Sequence, residues 1–246
     1  MDTQRSISLS LILLMLLSTL TLLVGPVEEV SAATAQGTIT SDEVWSGTHT
    51  VTGDILITAG AKVIIQPGTT ISLNNGTMIT VRGNLCAGDI SCGSSGMANN
   101  GSRIQFTWAD PGDSSQYGDC YDGALVNGYS NIDPSCGEGI LLKDSIDVGQ
   151  TKLNHVSIVN AYGLPAQVSQ VNNEFRIASL VLDGASPTLE GLKFQGINTS
   201  SVLALNLATP TFIGGEFVNG DDETDVAGQG VQIYGAGTSF TPVVMN

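Results

Sequence analysis

A 23-residue rhythm in the second half of the chain narrows the folds open to it. Ala185-Ser186-Pro187-Thr188-Leu189-Glu190-Gly191-Leu192-Lys193-Phe194 returns as Ala208-Thr209-Pro210-Thr211-Phe212-Ile213-Gly214-Gly215-Glu216-Phe217. Pro187 and Pro210, Leu189 and Phe212, and Phe194 and Phe217 each stand 23 apart. Leu180 and Leu182 likewise fall 23 before Leu203 and Leu205. Short strands repeating at this period read as stacked coils, a solenoid in which each unit packs on its neighbours. A chain of that kind offers an extended surface before it offers a pocket.

The first half carries the same kind of element. Trp45 to Val51, Ile55 to Ile57, Lys62 to Ile65, Thr70 to Leu73 and Met78 to Val81 are short runs rich in Ile, Val and Thr. Gly53-Asp54, Gly60-Ala61, Pro67-Gly68 and Asn74-Asn75-Gly76 separate them, supplying the backbone angles that turns need. No stretch shows a helical period, so the fold class is all-β. Leu153 to Ile158 matches Leu189 to Phe194 at a spacing of 36, which places about 13 extra residues around Tyr162 to Glu174. Thr241-Pro242 echoes Thr209-Pro210 after 32 residues, an excess that fits the acidic insertion beginning at Gly220-Asp221-Asp222.

Between Cys86 and Cys136 the pattern breaks into a long loop region, in which only Arg103 to Trp108 reads as strand. Cys86, Cys92, Cys120 and Cys136 make an even set, which in an exported chain points to two disulfides. Of the three pairings, the local one, Cys86 with Cys92 and Cys120 with Cys136, closes loops that leave the coil.

Export is itself read from the N-terminus. Arg5 precedes an apolar run from Ile7 to Val24, and Ser31-Ala32-Ala33-Thr34-Ala35 offers small residues for cleavage after Ala32 or Ala35. Residues 1–35 are therefore assigned to a signal peptide, with an uncleaved anchor as the alternative, and 36–246 to one solenoid domain. Any membrane attachment is expected through the N-terminal segment alone. By this register the chain stops mid-coil at Asn246 with no capping element, as expected of the first part of a longer solenoid. The formal net charge of −15 argues against nucleic acid or anionic lipid as a partner, because both require clustered cations.

The run Trp45-x-Gly47…Gly53-Asp54-Ile55…Gly60-Ala61…Ile64-Ile65-x-Pro67-Gly68-Thr69 resembles the opening coils of exported β-helix proteins. The Ser/Thr-Pro-Thr-Leu/Phe-x-Gly-x-x-Phe repeat resembles their later coils. The resemblance is to right-handed parallel β-helices of the pectin-lyase-like kind and covers roughly Thr38 to Asn246. It implies a right-handed parallel β-helix, to which the spacing adds coils of about 23 residues and the cysteines a long disulfide-bearing loop region. Such motifs mark turns and core positions, so they imply a fold rather than an activity.

The enzymes of that class need a basic residue for proton abstraction, or paired carboxylates for hydrolysis. Lys62, Arg82, Arg103, Lys143, Lys152, Arg176 and Lys193 are scattered and sit in no recognisable catalytic motif. The acidic clusters, Asp110 to Asp122 and Asp221 to Asp225, read first as solvated loops. No catalytic residue is assigned and no cofactor is expected, although Asp221, Asp222 and Asp225 form an oxygen-rich candidate for calcium. His49 and His155 read as isolated strand histidines exposed on the pleat.

Trp108, Tyr117, Tyr121 and Tyr129 gather along the loop region, where rings can stack on sugar faces. Asn75, Asn100 and Asn198 head glycosylation sequons in predicted turns or loops. The expectation is a secreted or cell-surface glycoprotein of adhesion type, non-enzymatic, with a carbohydrate or cell-surface partner. A polysaccharide lyase or glycoside hydrolase, and a passive spacer of a larger envelope protein, are the alternatives.

Overall fold

The computed structural model describes residues 33–88, 102–109, 137–169, 174–197, 199–219, 230–235, 237–239 and 241–244. The chain divides into two units, Met1–Ser31 and Ala32–Asn246. The first unit, with the run read as an export signal, lies outside the described residues.

Every regular element among the described residues is a strand. The first seven are β1 (Ala33–Ile39), β2 (Glu43–Trp45), β3 (Thr48–Ile57), β4 (Lys62–Ile65), β5 (Thr70–Leu73), β6 (Met78–Val81) and β7 (Asn84–Ala87). Then come β8 (Ile104–Trp108), β9 (Gly139–Lys143), β10 (Lys152–Asn154), β11 (Val156–Val159) and β12 (Leu164–Ser169). The last are β13 (Glu174–Asp183), β14 (Thr188–Ile197), β15 (Ser200–Leu205), β16 (Thr211–Asn219), β17 (Val231–Ile233) and β18 (Thr241–Val244).

The pairings resolve into three parallel ladders visited in rotation. The first runs from the start of β1 through the start of β3, β5, β8 and β11 to the second halves of β14 and β16. The second joins the ends of β1 and β3 to β6, β9, β13, β15 and β17. The third links β2, β4, β7 and β10 to the first halves of β14 and β16, then to β18. The result is one large parallel sheet consistent with a β-helix solenoid, and β12 is its antiparallel exception.

Parallel register stacks like on like, which is why the apolar positions recur. On the first ladder, Ile71, Phe106, Ile158, Phe194 and Phe217 lie in one column. The rings of Phe194 and Phe217 stack 5.4 Å apart. On the second, Ile55, Ile79, Ile140, Leu180, Val202 and Val231 form another. On the third, Trp45, Ile65, Ala87, Leu153, Leu189 and Phe212 form a column in the same way. Apart from Val231 and Phe217 at the last turn, all of these residues are buried in a single core. Each fully buried Ile, Leu or Phe contributes about 1.5–3 kcal/mol relative to exposure.

The 23-residue register holds between β14 and β16, where Leu189 lies on Phe212 and Phe194 on Phe217. The 36-residue match of Leu153 with Leu189 holds as well. The extra residues in that interval contribute a hairpin, β12 folding back antiparallel on the first half of β13.

Two expected registers are corrected. Leu180 pairs with Val202 and Val181 with Leu203, an offset of 22. Asn206, Leu207, Ala208, Thr209 and Pro210 separate β15 from β16, one residue more than separates β13 from β14. Asn206 and Leu207 absorb it at positive φ, 55° and 70°. A slip of one position reverses which side of the sheet a residue faces. Leu203 and Leu205 therefore lie outside the main core, in a second cluster with Leu164, Ala178 and Val181 beneath the hairpin. At the end of the chain Thr241 pairs with Thr211 rather than Thr209, an offset of 30 in place of 32.

Candidate functional surface

The outward side of the first ladder differs from those of the other two. Its two outward columns are Thr48, Thr70, Gln105, Ser157, Lys193 and Glu216, and Thr50, Ser72, Thr107, Val159, Gln195 and Val218. They alternate with buried neighbours, as β3 and β5 show in sequence. The outward side of the second ladder, by contrast, carries Leu141, Val181 and Leu203, partly under the hairpin. That of the third begins with Val44 and Ile64, then the buried Cys86.

Over β5 and β8 the first ladder thus presents hydroxyl and amide groups on a grid of about 4.8 Å between strands and 6.8 Å along them, whereas Ser157 on β11 is buried. Thr70, Ser72, Gln105, Thr107 and Gln195 are exposed or half-buried. Among the described residues, one ion pair lies on this surface, joining Lys193 to Glu216 at 3.3 Å. At the edge of the ladder Arg103 donates to the Gly191 carbonyl at 2.7 Å. His155 sits half-buried beside it in the left-handed region at φ 53°, its ring over Gly191. A Cβ on Gly191 would meet His155 Nδ1 at 2.9 Å, so the glycine is what lets the ring lie there.

Long connections enter and leave the strands of this ladder. Residues 88–103 lead into β8 and residues 109–138 leave it, so β8 lies between both long loops. The second loop is rooted by two buried polar groups. Trp108, with no exposed surface, donates from its indole nitrogen to the Thr77 carbonyl at 2.7 Å. Glu138, equally buried, accepts from the Gly76 nitrogen at 2.8 Å and the Tyr162 nitrogen at 3.1 Å. Together they clasp the turn between β5 and β6. The hairpin and residues 220–230 leave after β11 and β16, that is, from the same corner of the winding as the loop after β8.

Several expected site residues change role. Trp108 is corrected from a sugar-stacking ring to a core residue, its faces packed and its nitrogen bonded inside. Tyr117, Tyr121 and Tyr129 lie outside the described residues, as do Asp221, Asp222 and Asp225. Cys92, Cys120 and Cys136 lie outside them too, while Cys86 is buried and is not a free thiol. Asn75 occupies an exposed turn; Asn100 and Asn198 lie outside the described residues.

His49 is also corrected, from an exposed pleat residue to a buried one at 7 % exposure, inward on the first ladder beside Ile71. Burial holds its pKa below 6.5, outweighing the Ser46 carbonyl and Glu43, which raise it. Glu138 and the polar columns had gone unassigned. The signal for Glu138 was its place between Gly137 and Gly139, where a Cβ would strike Gly163 O and Ser179 O. Compared with protein-family models, with curated proteins and with solved structures, the chain matches none.

Proposed function

We propose that this chain is an exported, non-enzymatic surface protein built on a right-handed parallel β-helix, and that it binds neutral glycans along its first ladder. The observation that carries this reading is the polar patch of Thr70 and Gln105 in one outward column and of Ser72 and Thr107 in the other, with Gln195 further along. Repeated uncharged donors and acceptors on a flat, rigid surface match the repeated hydroxyls of a polysaccharide, and rigidity lowers the entropic cost of holding it. Their side chains make no hydrogen bonds to other described residues, so their capacity is open to a ligand.

In this reading the bordering loops, closed by Cys86–Cys92 and Cys120–Cys136, add selectivity through Tyr117, Tyr121 and Tyr129. Asn75, Asn100 and Asn198 carry glycans, and Asp221, Asp222 and Asp225 take calcium. Replacing Gln105 and Gln195 together with alanine should weaken binding to a panel of neutral polysaccharides at least tenfold without moving the thermal midpoint. Undiminished binding would move the ligand to the loops. Turnover of acidic polysaccharide by the unaltered protein would overturn the non-enzymatic reading.

A further inference from the structure

His49 is an ionisable side chain built into a hydrophobic column. It is 7 % exposed, pairs in register with Ile71 above, and stacks on Trp45 with ring centroids 5.1 Å apart. Its Nε2 lies 3.2 Å from the Ser46 carbonyl, which can only accept, so the proton of the neutral ring resides on Nε2. Nδ1 is then a buried acceptor, and it has no partner among the described residues. The elements packed around it bring little charge. β2 supplies Glu43, which is engaged by the Trp45 indole at 2.8 Å. β5 and residues 35–39 of β1 carry no ionisable side chain.

We propose that His49 is a proton-operated latch on the first turn of the solenoid: protonation at Nδ1 releases β1 and β2 from the turn above. The second proton would place a charged N–H among apolar groups with nothing to receive it, a costly state that opening to water relieves. Opening here also asks little of the fold. Among the described residues β1 pairs only with β3 and β2 only with β4, so a single layer of pairing must be given up. The sign follows from the lowered pKa. The closed turn resists protonation while the open one titrates near 6.5, so closure is full above that pH and is lost as pH falls below it.

Native-state hydrogen exchange on the whole chain reads this directly. The Thr58 amide bonds Ile39 O and the Gln66 amide bonds Trp45 O, so both report release of the first turn. After correction for intrinsic rates, their protection should fall about tenfold per pH unit below 6.5, one proton being linked to opening. The His155 amide, bonded to Glu190 O far along the solenoid, should keep its protection. His49→Phe should flatten the pH response and His155→Asn should preserve it. An unchanged slope in His49→Phe, or none in the unaltered chain, overturns the proposal. So does a His49 ring titration, followed by NMR in the unaltered chain, with a midpoint at or above 6.5.

Discussion

Glu138 shows how much one side chain can hold. It is withdrawn from water entirely, yet its two carboxylate oxygens meet backbone donors from turns that lie before and after it in the stack, Gly76 and Tyr162. A buried carboxylate without such donors costs several kcal/mol, whereas charge-assisted bonds to backbone N–H groups offset the loss of water. Glu138→Gln keeps the shape but turns an amide NH2 toward a donor. It should destabilise by about 1–3 kcal/mol, read as a lower urea midpoint at unchanged slope. An unmoved midpoint would mean the carboxylate holds nothing. The residue was hard to find from sequence because its partners lie 62 and 24 positions away and are backbone groups. Leu189 and Phe194 were readable for the opposite reason. Each stacks on a counterpart of like character one period on, so identity itself repeats. Trp108 was misread because an aromatic at the edge of a loop looks alike whether its ring faces the loop or the core.

At the level of strands, the hairpin of β12 and β13 changes what "outward" means on the second ladder. Val181, Leu203 and Leu205 face away from the main core and are still buried, because the hairpin lies over them. Leu203→Asp should therefore cost about 3 kcal/mol or more, as at any core site given an unpaired charge. If Leu203 faced water, the cost would be within about 0.5 kcal/mol, and thermal denaturation separates the two. The same coverage explains why the register of β13 on β15 was not legible. Leu180-Val181-Leu182 and Val202-Leu203-Ala204-Leu205 are apolar on both sides, so no polar residue marks the phase. On the first ladder, where Thr48, Thr50, Thr70 and Ser72 alternate with buried residues, the strands could be read, although His49 between them was placed on the wrong side.

Across the whole molecule, stability should follow position along the stack, because each turn packs chiefly on the turns before and after it. Phe106 lies between Ile71 and Ile158 with no exposed surface, whereas Phe217 has Phe194 on one side and is 37 % exposed. Phe106→Ala should cost about 3–5 kcal/mol. Phe217→Ala should cost about 1 kcal/mol, in proportion to the smaller area it removes from water. Equal losses in chemical denaturation would mean that the turns do not act as separate layers. The unequal offsets along the first ladder carry a mechanical consequence. Hydrogen bonds between turns run along the axis of winding, so tension on that axis loads the turns in series and peels them one by one. From β3 onward the successive partners Thr48–Thr70, Thr70–Gln105, Ile104–Val156, Ser157–Lys193 and Lys193–Glu216 enclose 22, 35, 52, 36 and 23 residues. With the cysteines reduced, at up to about 3.4 Å of extended chain per residue, slack would be paid out in portions from about 75 to 180 Å. A stretched molecule would reveal by its one longest yield when the turn between β8 and β11 had let go.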